Sequence, residues 1–86
     1  MADYTITVAR SARKELEALD AAIVKRILSK IEALGLEPKP RGYRKLHGEE
    51  NLWRIRVGEY RVIYAIYHTE QIVDIIAVRH RSKAYE

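Results

Sequence analysis

At 86 residues and 10.0 kDa, the chain has room for a single domain, residues 1–86, with one modest core. The absence of cysteine excludes a disulfide framework and thiolate metal sites, and 48% hydrophobic with 33% charged residues argues against a disordered tail. A net charge of +4 favours an anionic partner. No apolar run approaches the roughly 20 residues of a membrane span, and the N-terminal MADYTITVARSARKE lacks the apolar stretch of a signal peptide. A soluble cytoplasmic domain is expected.

Tyr4, Ile6 and Val8 alternate with Thr5 and Thr7, which predicts a short strand. From Ala9 the period changes. Ala12, Leu16 and Leu19 fall at helical spacing, with Arg10, Arg13, Lys14, Glu15 and Glu17 mostly on the outer side. Asp20 is placed to cap a second helix from Ala21, in which Ile23, Ile27, Ile31 and Leu34 form the apolar stripe and Val24 and Leu28 widen it. Gly35 stands where a helix-terminating glycine is expected, so the two helices read as an antiparallel hairpin. Pro38, Pro40, Gly42 and Gly48 forbid a helix through residues 36–50. Three runs rich in Val, Ile and Tyr follow: Leu52–Val57, Tyr60–Tyr67 and Ile72–Val78. The order is β-α-α-β-β-β, an α+β domain with the helical hairpin on one face of an antiparallel sheet.

Gly58-Glu59 between two alternating runs predicts a two-residue hairpin loop, and the loop fixes the register. Val57 faces Tyr60, Arg56 faces Arg61, Ile55 faces Val62, Arg54 faces Ile63 and Trp53 faces Tyr64. Trp53, Ile55, Val57, Tyr60, Val62 and Tyr64 then share the face packed on the helices, and Arg54, Arg56 and Arg61 share the other. Like charges directly opposite one another are destabilising, so folding alone does not favour Arg56 against Arg61. A guanidinium cluster makes sense if it meets an anion, because arginine and phosphate pair through two parallel hydrogen bonds. The plain alternative is a solvated sheet face. Lys39, Arg41, Arg44 and Lys45 before the hairpin, and Arg79, Arg81 and Lys83 after the last strand, extend the basic set towards a polyanion site.

Tyr67 falls on the arginine face, and Tyr43 and Tyr85 lie in irregular basic segments where a ring can stack on an unpaired base. For Tyr43, packing beside the turn is the simpler reading. His47, His68 and His80 lack metal-ligand spacing, and no metal or cofactor is expected. His68 reads as a turn residue. His80 is the histidine nearest the basic face. For the last strand, alternation from Val73, Ile75 and Ala77 puts Arg79 on their face. If that face is the core, His80 rather than Arg79 joins the other arginines. Alternation alone does not decide between the two.

KLHG-(x4)-WRIRVGEYRVIYAI, an Ile/Val-rich strand and a closing VRHRSKAY resemble the RelE/ParE superfamily of type II toxin–antitoxin toxins, the RelE-like branch most closely. The resemblance covers essentially the whole chain. It implies the RelE-like fold and a ribosome-dependent endoribonuclease that cuts mRNA in the A site and inhibits translation. It also implies a RelB-like antitoxin as partner. Carried over by motif, the basic pair of the first hairpin strand is Arg54 and Arg56, the turn arginine is Arg61 and the tail tyrosine is Tyr85. The tail arginine matches Arg79, with Arg81 as its neighbour, and His80 occupies the position where some relatives place a histidine. Arg61, Arg79, Arg81 and Tyr85 are thus the candidate catalytic residues, and Arg44, Lys45, Arg54, Arg56 and His80 the candidate RNA contacts. Two other readings compete: a ParE-like toxin that binds DNA gyrase, and a nucleic-acid-binding module that cuts nothing.

Overall fold

A computed structural model describes residues 3–46, 48 and 50–83. Strand β1 is Thr5–Val8, helix α1 Arg10–Glu17, helix α2 Ala21–Leu36, strand β2 Arg44–Lys45, β3 Trp53–Val57, β4 Tyr60–Tyr67 and β5 Ile72–His80. A single 3₁₀ turn, Arg81–Lys83, follows β5. The strands form one sheet in the order β1-β5-β4-β3-β2. The domain is α+β, as expected, but the sheet is mixed: β1 runs parallel to β5, from Thr5 opposite Ile72 to Val8 opposite Ile75. The two helices carry the chain from β1 to the opposite edge at β2, and β3 and β4 lead back until β5 lies beside β1, parallel to it. The two-residue β2, within a segment expected to be irregular, extends the other edge.

The β3–β4 hairpin has the expected register throughout, from Trp53 opposite Tyr64 to Val57 opposite Tyr60. Gly58 opens the loop with φ +59°, the backbone form that a two-residue hairpin turn asks of its first loop residue. On the helix side, Ile55, Val57, Val62, Tyr64, Ile66, Val73, Ile75 and Val78 meet Ala12 and Leu16 of α1 and Ile27, Ile31 and Leu34 of α2. Tyr64 is fully buried and its hydroxyl donates to the carbonyl of Pro38 at 2.7 Å, which ties the chain leaving α2 to the centre of the sheet. Desolvation on burial, followed by the nearby Tyr43, pushes the Tyr64 phenol well above its ordinary range.

Three expectations for α2 need correction. Gly35 does not terminate the helix, which runs on to Leu36. It is buried, and a Cβ there would stand 3.1 Å from the carbonyl oxygen of Tyr4, while the Tyr4 N–H donates to the Gly35 carbonyl at 2.8 Å. The glycine is a close-approach position for β1. The apolar stripe is also narrower than expected: Leu28 is 39% exposed and Val24 stands outside the core. Asp20 occupies the N-cap position, but its side chain makes no capping hydrogen bond.

β1 covers the edge of β5 only as far as Ile75. An uncovered strand edge presents unpaired N–H and C=O groups, which need partners when shielded from water. Here α1 takes over. The Ala9 N–H donates to the Ile75 carbonyl at 2.8 Å, the Ser11 hydroxyl donates to the Ile76 carbonyl at 2.9 Å, and a Glu15 carboxylate oxygen accepts from the Val78 N–H at 2.9 Å.

Candidate functional site

The register of β5 against β4 decides where the tail residues stand. Tyr67 to Tyr64 pair with Ile72 to Ile75, but Ile63 pairs with Ala77, so Ile76 is an unmatched residue, a β-bulge. One extra residue reverses the parity of all that follows. Val78 therefore joins the core opposite Val62, and Arg79 falls opposite Arg61 on the face away from the helices. His80 falls opposite Tyr60 on the helix side, where the two rings meet edge to face at 5.5 Å.

Arg56, Arg61 and Arg79 are thus consecutive cross-strand partners, one on each of β3, β4 and β5. They form a row across the sheet at the strand spacing of about 4.8 Å. Arg54 is two residues along β3 from Arg56, and Arg44 lies opposite Arg54, so five arginines share this face. Between them and the far edge, Ile63, Ala65 and Ala77 are buried but lie outside the main core.

Arg61 is half-buried. One terminal nitrogen donates to the Tyr60 carbonyl at 3.2 Å, and its Nε is buried without a hydrogen-bond partner among the described residues. A buried cationic N–H with no acceptor costs stability. Flanked by two further guanidiniums, Arg61 is poorly explained as a fold-stabilising residue. Arg56 is exposed, its Nε donating to the Gly58 carbonyl at 3.5 Å. Arg79 is held by Glu15, whose second carboxylate oxygen accepts from Nε at 3.3 Å.

Other candidates stand elsewhere. Arg81 is beyond the end of β5, tied to the hairpin loop by its N–H to the Glu59 carbonyl at 2.7 Å and by an exposed ion pair to the Glu59 carboxylate at 3.1 Å. Lys45 lies opposite Trp53, so it belongs to the other face from Arg44, with its Nζ 6.0 Å from the centre of the Trp53 ring. Tyr43 packs on that ring at 5.4 Å, the turn-packing role. His80 is exposed, with its Nδ1 accepting from the Ser82 N–H at 3.2 Å. His68 is a turn residue bonded to the Tyr4 hydroxyl at 2.8 Å. Tyr85 and His47 lie outside the described residues.

Glu15 was legible only as an outward-facing helix residue. It is instead half-buried against β5, because α1 lies along the edge of that strand. Chemically, the arginine face offers fixed positive charge and many N–H donors, which suits a phosphodiester backbone. Among the described residues the arginine row itself holds no proton acceptor: guanidinium stays protonated, no described histidine joins the row, and the nearby carboxylates are engaged, Glu15 by the Val78 N–H and Arg79 Nε and Asp74 by the Thr7 hydroxyl. Among the described residues no group of three His, Asp or Glu side chains could hold a metal ion, and no helix is long and apolar enough to cross a membrane.

Residues 6–85 match the family described as the ParE toxin of the type II toxin–antitoxin system parDE. A relative from Methanocaldococcus jannaschii bearing the toxin name RelE1 is 26% identical, with 96% of each chain covered. The RelE–RelB complex of Pyrococcus horikoshii superposes with a TM-score of 0.82 at 31% identity, covering 95% of this chain and 99% of that one. The RelBE2 toxin–antitoxin complex of Mycobacterium tuberculosis also gives 0.82, at 30% identity, covering 92% of this chain and 99% of the other. With a family match over residues 6–85 and the same fold along almost its whole length, the chain belongs to the RelE/ParE family of type II toxin–antitoxin toxins.

Proposed function

We propose that this toxin is a ribosome-dependent mRNA endoribonuclease of the RelE kind, acting in the cytoplasm on the message in the ribosomal A site. The observation that carries the reading is the row Arg56–Arg61–Arg79, three mutually repelling cations that the fold holds in register on one face. The RelE names of its relatives support it.

RNA carries its own nucleophile. In the proposed reaction the 2′-oxygen attacks the adjacent phosphorus and loses its proton. The bond from phosphorus to the 5′-oxygen breaks, and that oxygen takes up a proton. The products are a 2′,3′-cyclic phosphate and a 5′-hydroxyl. Arg61 and Arg79 clamp the scissile phosphate and stabilise the charge that builds on its oxygens. Arg54 and Arg56, with Arg44 beside them, hold the flanking backbone. Arg81, tied to Glu59, is assigned a supporting role at the rim. Tyr85 stacks on a base or shares in proton transfer. With no tuned base, the site is weak on free RNA and depends on the ribosome to fix the message in an attack geometry. The partner that silences the toxin is a RelB-like antitoxin, acidic where it covers the arginines, and its binding weakens as salt rises.

One finding favours a second reading: the matched family description is that of ParE. A ParE-like toxin would act on DNA gyrase. A reconstituted translation reaction followed by primer extension tests both. Cleavage of the translated message at positions set by the A site, absent without ribosomes, is the expected result. An intact message together with inhibition of gyrase supercoiling would overturn it in favour of the second reading.

A further inference from the structure

We propose that Glu15 is a positioning residue for cleavage, holding Arg79 by its Nε so that the two terminal nitrogens remain for the phosphate; this rests on the ribonuclease reading above.

Glu15 divides its carboxylate between two tasks. One oxygen accepts from the Val78 N–H at 2.9 Å and the other from Arg79 Nε at 3.3 Å. The first completes the strand edge where β1 has ended, a task that any neutral acceptor could perform. The second is not required by the strand edge. It places a negative charge beside the site proposed to bind a polyanion, where that charge repels the ligand. A carboxylate in that position weakens substrate binding, so its presence calls for a compensating role. The geometry provides one. Arg79 follows the bulge at Ile76 and lies near the end of β5, and Glu15 anchors it from a helix on the sheet's edge. The pair is half-buried, with the side chains 39% and 32% exposed, which makes it a firmer contact than the exposed Arg81–Glu59 pair. Among the described residues no further hydrogen bond occupies the terminal nitrogens of Arg79. A guanidinium fixed through Nε presents those two donors as a planar fork, the form that matches two phosphate oxygens.

The variant that separates the two tasks is Glu15→Gln. The glutamine oxygen can still accept from Val78 N–H, while its NH₂ group then meets Arg79 Nε donor to donor. The fold is retained, the clamp on Arg79 is lost and the repulsive charge is gone. The two kinetic constants therefore move apart. In ribosome-dependent cleavage, kcat should fall about 10- to 100-fold, as expected for a misplaced catalytic group, while KM stays level or falls. The double variant with Arg79→Ala should be no slower than Arg79→Ala alone, because both act through the same side chain. A purely structural role predicts a lowered melting temperature and additive losses.

An independent readout is the NMR signal of the Arg79 Nε–Hε group. It should shift and exchange faster with water in Glu15→Gln, with the corresponding Arg81 signal unmoved. Wild-type kcat in a folded Glu15→Gln protein, or additivity in the double variant, overturns the proposal and leaves the ribonuclease reading standing. A wild-type protein that never cuts overturns the ribonuclease reading and this one with it, and the NMR signal then reports only whether the Glu15–Arg79 contact exists.

Discussion

Arg61 lies directly opposite Arg79, and the pairing exists because Ile76 is left out of the β4–β5 ladder. Without that bulge, strict alternation would turn Arg79 towards the helices and bring His80 to the arginines. The bulge thus selects a guanidinium rather than an imidazole as the group beside Arg61, a fixed charge in place of a titratable one. Bulges re-aim side chains at strand ends in this way, at the expense of a ladder pairing.

Alanine at position 61 should remove activity without harming the fold. Arg61 stands between Arg56 and Arg79, so the substitution relieves like-charge repulsion on both sides and removes a buried N–H that lacks an acceptor among the described residues. Stability should hold or rise slightly. A single donor to developing charge is worth about 2.7–4 kcal/mol, roughly a hundred- to thousandfold in rate. Primer extension on a translated message, alongside thermal melts, checks both halves. A folded variant that cuts undiminished would remove Arg61 from the catalytic set.

Most of the arginine face is readable from the sequence alone. Gly58-Glu59 fixes the hairpin register, and the register separates Arg54, Arg56 and Arg61 from Trp53, Ile55 and Val57. What cannot be read is the placement of the tail. Ile75-Ile76-Ala77 is uniformly apolar, with no glycine to announce a bulge, and both parities of β5 satisfy the hydrophobic pattern equally well. The parallel pairing of β1 with β5 is hidden for a related reason. Tyr4–Val8 alternates as any half-buried strand does, and its partner lies at the other end of the chain. Glu15 is missed because helical periodicity assigns it to the outer side, whereas α1 borders a sheet edge rather than lying flat on the core. Gly35 is misread because a glycine near a helix end is a common stop signal, and close approach of a neighbouring strand leaves the same residue type.

Tyr64 should make the fold sensitive to alkali. Its phenol is buried and bonded to the Pro38 carbonyl, and its proton is held more tightly in the folded protein than at the ordinary value near 10. The folded state then binds more protons than the unfolded one once pH exceeds that value, so stability is flat below pH about 10 and falls as pH rises through it. Tyr64→Phe lacks this dependence but loses the hydrogen bond, leaving a buried carbonyl unsatisfied at about 1–3 kcal/mol. Denaturant melts should show the variant less stable at neutral pH and the gap closing above pH about 10. A gap constant with pH would show that the phenol is not held neutral by the fold.

Substitutions at Gly35 should rank by side-chain size rather than by helix propensity. Alanine gains about 1 kcal/mol over glycine in a helix interior and less in the last turn, where Gly35 stands, and here its Cβ would press on the Tyr4 carbonyl oxygen at 3.1 Å. Those effects oppose, so Gly35→Ala should be close to neutral. Gly35→Val adds two methyl groups on the same side, against the backbone of β1, and should cost about 1–3 kcal/mol as an overpacked core does. Thermal melts of the two variants check the order. Valine tolerated as well as alanine would show that β1 moves aside freely.

The tail arginines should separate cleanly. Arg79 belongs to the row and faces Arg61, whereas Arg81 is fixed to Glu59 at the hairpin loop. Arg79→Ala removes one of the two proposed phosphate clamps, so cleavage should fall about a hundred- to thousandfold, comparable to the loss at Arg61. It also removes a half-buried partner of Glu15, leaving that carboxylate with only the Val78 N–H, so a small drop in melting temperature is expected. Arg81→Ala removes an exposed ion pair of about 0–1 kcal/mol, and its rate should fall less, about tenfold or below, through weaker attraction of the message. The two variants can be compared at low and high salt. The Arg81 effect should fade as salt rises, because it acts through screened solvent, and the Arg79 effect should persist, because it acts by contact. If Arg81→Ala proves the more damaging variant at both salt concentrations, the catalytic set stops at Arg61 along the row, and the tail contributes its catalytic charge from the turn after β5.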